Sequence, residues 1–284
     1  MPHANDNGVD LHYQQAGAGP DVVLLHAVTA NMAVWLVSGL LDTLAREYRV
    51  TAYDLRGHGL SAAPPTGYTS ADMAEDFRGL HEALGLGPAY LVGHSFGGVV
   101  AMHAAATYPD RVSGVIVSDP YFPGLGQHEP HLDGANVWVD LRETFRHAGR
   151  DLGDTVDFTT LFRTVAGLSR AQLRAIREQM GPASTRWLSQ LPRLAETTCG
   201  RDVFAEAGLT EERICAVRQP VVALYDEHSP FLATCRFLEE HLPNCTVEIV
   251  PGAKHMAPVQ NGPLFGELVR KHLTALRRAA GEVS

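Results

Sequence analysis

Four short apolar runs recur along the first half of the chain, each followed by a glycine-punctuated loop or turn. Asp21-Val22-Val23-Leu24-Leu25-His26 is continuous in its apolar residues, as a strand buried on both faces should be. Tyr48 to Tyr53, Ala89 to Val92 and Val112 to Asp119 repeat the pattern. Ahead of them, Leu11 to Gln15 alternates and reads as an edge strand broken by Gly17 to Pro20. Amphipathic periodicity predicts helices over about Trp35–Glu47, from an N-cap at Thr69 or Ser70 to about Leu84, and in the small-residue run after Gly97.

The pattern changes at Pro120. From there to about Arg218 the periodicity is helical, with candidate helices at Trp138–His147, Phe158–Val165, Arg170–Met180, Thr185–Leu194 and Cys199–Ala207. Strand patterns return at Val221 to Tyr225 and Cys245 to Val250, with a helix over Phe231–Leu242 between them and a closing helix over Pro263–Arg278. Alternating strands and helices predict an α/β fold around a mostly parallel sheet. The helical stretch reads as a cap inserted into it, dividing the chain into core 1–120, cap 121–218 and core 219–284.

The chain has 284 residues, 45% hydrophobic and 19% charged, enough for a sizeable core. Its net charge of −9 argues against nucleic acid and anionic membranes as partners. No run of about 18 apolar residues appears and residues 1–10 are polar, so a cytoplasmic, soluble protein is expected. Cys199, Cys215, Cys235 and Cys245 are too dispersed for a metal site and are expected as free thiols. Two histidines flank a carboxylate in His128-Glu129-Pro130-His131, but Pro130 denies them a shared helical face. No metal and no cofactor is expected, and the oligomeric state is not legible.

The candidate chemistry centres on Gly93-His94-Ser95-Phe96-Gly97-Gly98. A serine between an apolar strand and a helix, flanked by glycines, is the sharp turn that pushes a hydroxyl out at the top of a sheet. Side chains at residues 93 and 97 would collide with the neighbouring strand or helix. The Phe96 N–H, at the helix N-terminus, is placed for a developing oxyanion. A serine needs a base and an orienting carboxylate. The best base is His255, on the loop Pro251-Gly252-Ala253-Lys254-His255 after the last strand. The acid is open between Asp119, which ends a strand, and Asp226 and Glu227 after the penultimate one.

With these residues in view, the chain resembles the α/β-hydrolase family over nearly its whole length. Val22 to His26 with Trp35 is similar to the family's oxyanion-loop strand. Asp54-Leu55-Arg56-Gly57-His58-Gly59-Leu60-Ser61 resembles its loop after the next strand, and Gly252 to His255 its histidine loop. The resemblance implies a second oxyanion donor at the Val28 N–H, substrate contacts from His26 and Ala27, and no cofactor. Two departures stand out. The oxyanion strand ends His26-Ala27 where the family usually has His-Gly, and Ser229 occupies the usual acid position in Asp226-Glu227-His228-Ser229-Pro230. The second departure puts Asp119 first among the acids.

The reading is a serine hydrolase acting on an ester, thioester or lactone of a small, mostly apolar molecule, with Phe122 and Trp138 among the aromatics lining its pocket. The alternative is a lyase on the same scaffold, eliminating a carboxylic acid such as acetate from an activated ester, as some enzymes of bacterial natural-product pathways do. A ligand receptor on a degenerate scaffold is the third class. His94 reads as part of the packing of the turn rather than as a catalytic group, and Arg56 and His58 as loop braces rather than substrate contacts.

Overall fold

The computed structural model describes residues 2–4, 8–129, 139–153, 157–180 and 188–282. Eight strands form one sheet: β1 (His3–Ala4), β2 (Leu11–Ala16), β3 (Asp21–Leu25), β4 (Arg49–Tyr53), β5 (Ala89–His94), β6 (Val112–Ser118), β7 (Val221–Asp226) and β8 (Cys245–Val250). Their order is β1-β2-β4-β3-β5-β6-β7-β8. β1 and β2 run antiparallel to their neighbours, and every pairing from β4 to β8 is parallel. Leu11 to Gln15 therefore lies inside the sheet edge rather than on it, because the two residues of β1 cover it. So short a strand leaves almost no periodicity to read.

The continuous apolar runs are explained by helices on both faces. Along β3, Val23 and Leu25 enter one core with Phe77, Leu91 and Val100, while Val22 and Leu24 enter the other with Trp35, Tyr48 and Phe265. Helices Ser70–Ala83 and Phe96–Thr107 supply the first core, and Leu40–Leu44 and Gly262–Ala279 the second. Each such side chain, fully withdrawn from water, contributes about 1.5–3 kcal/mol. Thr69 caps its helix reciprocally: its hydroxyl accepts from the Asp72 N–H at 3.2 Å, and its own N–H donates to the Asp72 carboxylate at 3.0 Å. The helix expected over Trp35–Glu47 is instead two, Ala33–Val37 and Leu40–Leu44, separated by Gly39 at φ +74°. A glycine there takes a left-handed turn at no steric cost, which ends one helix and starts the next.

Between β6 and β7 the described residues contain helices and no strand. These are Val139–His147, Phe158–Ala166, Arg170–Met180, Cys199–Asp202 and Glu211–Cys215, with 3₁₀ turns at Pro123–His128 and Leu191–Leu194. The helix expected over Cys199–Ala207 stops after one turn, and Glu211–Cys215, capped by Thr210, was not apparent in the periodicity. This stretch grips the loop after β4. Arg193 donates to the carbonyls of Gly59 and Ser61 at 2.6 and 2.9 Å, the Gln190 amide oxygen accepts from the Gly59 N–H, and the Asp202 carboxylate accepts from the Tyr68 N–H. Among the described residues no helix is long and apolar enough to cross a membrane.

The parallel order turns back at β3, which has β4 on one side and β5 on the other. Such a switch point opens a crevice beyond the carboxyl ends of the two central strands. Residues 26–28 leave β3 there, and Ser95 leaves β5.

Candidate active site

Ser95 sits at φ +52° between β5 and the helix Phe96–Thr107. A non-glycine residue in that region costs on the order of 1–3 kcal/mol and needs its surroundings to hold it. Its N–H donates to the Ser118 carbonyl at 2.7 Å, and its own carbonyl accepts from the Gly98 N–H at 2.8 Å. The flanking glycines are sterically required: a Cβ on Gly93 would overlap the Gly97 carbonyl, and one on Gly97 would overlap the Leu25 carbonyl.

The Ser95 hydroxyl lies 3.1 Å from Nε2 of His255, and Nδ1 of His255 lies 2.7 Å from Oδ2 of Asp119. Asp119 is completely buried, whereas the His255 side chain is 23% exposed, so the histidine reaches toward solvent while its partner does not. The bond to a carboxylate assigns the proton of neutral His255 to Nδ1, leaving Nε2 free to accept from the serine. Five non-glycine residues among those described have positive φ: Ser95, Asp119, His255, Thr29 and Ala207. Three of the five form this chain of contacts, and Thr29 belongs to the loop beside it.

The three carboxylates considered from the sequence have different partners. Asp119 meets His255. Asp226 receives the Ala257 N–H on Oδ2 at 3.1 Å and gives its own N–H to Oδ1 of Asp119 at 3.2 Å. Glu227 accepts from the Gly252 N–H at 2.7 Å and is exposed.

The loop after β3 is held at three backbone points. His26 donates from Nδ1 to the Ala27 carbonyl at 2.8 Å and accepts from the Leu55 N–H on Nε2 at 3.0 Å. His58 accepts from the Thr29 N–H at 3.1 Å and donates to the Arg56 carbonyl at 2.9 Å. Asp54 accepts from the Met32 N–H at 2.8 Å. Burial drives both histidines toward the neutral form, His58 down to about 3. Each can then donate from one nitrogen and accept at the other.

His26 was expected to contact substrate. It is completely buried with both ring nitrogens engaged by main chain, so it holds the loop from behind. Phe122, also expected at the pocket, is fully buried in the core above the sheet. Trp138 and His131 lie outside the described residues. Ala27 and Val28 are 8% exposed at the carboxyl end of β3. Ala27 does not take the positive φ that a glycine would serve; that conformation falls two residues later, on Thr29 at +71°. The change from glycine to alanine therefore carries no backbone penalty. Phe96 opens its helix, so its N–H has no acceptor within it.

Sequence reasoning missed the ring of Phe231, edge-on to His255 at 5.3 Å between centroids, and Tyr121 beside it at 5.6 Å. The available signal was position: Tyr121 follows Asp119 by two residues, and Phe231 closes the loop that begins at Asp226. His94 was read as packing, yet it is bonded to the main chain of His255. Among the described residues no group of three or more His, Cys, Asp or Glu side chains could hold a metal ion; His128 pairs with Glu211 at 2.9 Å.

Residues 20–261 match the family model described as the alpha/beta hydrolase fold. The chain is 30% identical over 258 residues to 2-(acetamidomethylene)succinate hydrolase of Mesorhizobium japonicum, covering 87% of this chain and 85% of that protein. The crystal structure of an E-2-(acetamidomethylene)succinate hydrolase superposes with a TM-score of 0.68 at 25% identity, covering 96% and 98% of the two chains. The enol-lactonase from Burkholderia xenovorans LB400 superposes with a TM-score of 0.70 at 22% identity, covering 96% and 100%, a likeness of fold. With the switch-point crevice and this breadth of match, the chain belongs to the alpha/beta hydrolase fold family.

Proposed function

We propose that the protein is a serine hydrolase that cleaves an ester, thioester or lactone bond of a small, mostly apolar organic molecule. The observation that carries this reading is the continuous contact from the Ser95 hydroxyl through His255 to the buried Asp119 carboxylate. The hydrolytic names of the relatives support it as well.

In this reading Ser95 attacks the carbonyl carbon as its proton passes to Nε2 of His255. Asp119 fixes the tautomer and stabilises the imidazolium that forms. The N–H groups of Phe96 and Val28 receive the carbonyl oxygen as it becomes an oxyanion. His255 returns its proton to the leaving group, then activates a water that releases the acid from Ser95. Phe231 and Tyr121 give the side of the pocket by His255 an aromatic wall, which favours an apolar acyl or ring group. The helices between β6 and β7 serve as the cap over it.

Intact-mass labelling with a fluorophosphonate tests the reading, wild type beside Ser95→Ala. One adduct on wild type and none on the variant is expected. No adduct on the folded wild-type protein would overturn an activated Ser95. Turnover in oxygen-18 water then separates the chemistries: label in the product acid is expected, whereas an unlabelled acid with a new C=C would make the enzyme a lyase.

A further inference from the structure

Behind the Ser95–His255–Asp119 contacts lies a second buried carboxyl group for which the proposed chemistry has no step. Asp226 ends β7, next to the end of β6 that carries Asp119, and is completely buried. It bonds to Asp119 and to the turn that carries His255. Its main-chain N–H donates to Oδ1 of Asp119, the oxygen that His255 leaves free. Its Oδ2 accepts from the N–H of Ala257, two residues beyond His255. That second bond anchors the exit of a turn in which His255 itself is held at φ +62°.

The other oxygen, Oδ1 of Asp226, is buried without a hydrogen-bond partner among the described residues. A buried carboxylate with a bare oxygen and no cation is costly. The charged groups that act on it are Asp119, just after β6, and His255 on the last loop; Tyr225, Glu227 and His228 adjoin it in sequence, and Lys254 precedes His255. Glu227, His228 and Lys254 are exposed, and Asp119 repels a second negative charge. A proton on Oδ1 relieves that cost and leaves Oδ2 as the acceptor that Ala257 requires.

We propose that Asp226 is a positioning residue for the catalytic group, holding Asp119 by its main-chain N–H and the His255 turn by its carboxyl group, and that it does so as a neutral acid. This rests on the serine-hydrolase reading for its consequence, not for its geometry. Desolvation, with the Asp119 charge adding to it, pushes the Asp226 carboxyl up to about 7. A negative Asp226 favours the imidazolium, so each group's titration depends on the other's state.

The test compares wild type, Asp226→Asn and Asp226→Ala by two readouts. One is the ring titration of His255 followed by nitrogen-15 NMR. The other is the pH dependence of fluorophosphonate labelling at Ser95. Asparagine keeps an acceptor for the Ala257 N–H and cannot ionise. The His255 curve of wild type should show a second inflection near pH 7, and Asp226→Asn should abolish it and lower the His255 midpoint. Asp226→Ala should label at least tenfold more slowly than wild type, with Asp226→Asn restoring most of that loss.

An Asp226→Asn curve superimposable on wild type would overturn the proposal. So would alanine labelling at the wild-type rate, or asparagine slowed as much as alanine. Should the alanine variant fail to fold, the asparagine titration decides alone. Should wild-type Ser95 take no label, the hydrolase reading fails, while the His255 titration still decides the role of Asp226.

Discussion

His94 donates its Nε2–H to the main-chain carbonyl of His255, 2.8 Å away, so the residue before the candidate nucleophile holds the backbone of the candidate base. The two rings lie 5.5 Å apart between centroids. Burial, then the neighbouring His255, pushes His94 down to about 4, so at neutral pH it brings no positive charge against an imidazolium at His255. A bond between adjacent catalytic elements fixes their separation, and misplacement by about 1 Å can cost on the order of 100-fold.

His94→Ala should therefore lower kcat roughly 10- to 100-fold with little change in KM, and His94→Gln should recover part of it. Steady-state kinetics on an ester found by panel screening would show this. An alanine variant with wild-type kcat would reduce His94 to packing.

The acid can be ranked by substitution. Ser95→Ala and His255→Ala should each lower hydrolysis about 10³-fold or more, because such residues act as a unit. Asp119→Asn should cost more than Asp226→Asn or Glu227→Gln, since only Asp119 meets Nδ1 of His255. The reverse order would move the acid to the end of β7.

His58→Ala should weaken both stability and turnover. It strips the acceptor from the Thr29 N–H and loosens the loop that carries Val28. Removing a hydrogen bond of this kind costs about 0.5–1.5 kcal/mol. The expected result is a lower Tm and a lower kcat at nearly constant KM; a Tm and kcat equal to wild type would show that Thr29 needs no such support.

Acid should unfold the protein more readily than its carboxylates alone would. Burial pushes His26, His58, His94 and His103 below the ordinary histidine range, His58 to about 3 and His94 and His103 to about 4. A group whose pKa is depressed by folding contributes stability above its unfolded value, about 6.5, and loses it as pH falls toward the folded value. The Tm should decline steadily from pH 6.5 to 4. A flat Tm over that range would contradict the neutral, buried assignment.

Asp226 should work in the opposite sense. Its folded pKa is raised from 3.8 to about 7, so the stability it contributes is complete below about pH 4 and is lost as pH rises to 7. Asp226→Asn should then gain Tm relative to wild type at pH 8 but not at pH 4. An equal Tm difference at both pH values would mean that Asp226 is ionised throughout.

Much of this architecture was legible because its causes are local. Gly93 and Gly97 flank Ser95 because backbone passes within overlap distance of any Cβ there, and continuous apolar runs at β3 and β5 follow from helices on both faces. His26 was misjudged because a histidine at a strand end reads alike whether its ring faces a pocket or the Leu55 main chain behind it. Gly39 went unread as a helix boundary because apolar periodicity continues across it, while the chain reverses hand at that one residue. The part played by Asp226 depends on a neighbour 107 residues away, a distance that no local pattern encodes.

The grip of Arg193, Gln190 and Asp202 on the loop after β4 bears on how this scaffold could diversify. Residues 55–68 take their hydrogen bonds from both sides, with His58 turned to the loop after β3 and Gly59, Ser61 and Tyr68 turned to the helices. A chimera that exchanged only the segment between β6 and β7 would strand these main-chain groups at the seam. The unit of transplantation is the helical segment together with residues 55–68, two pieces of chain that must be inherited as a pair.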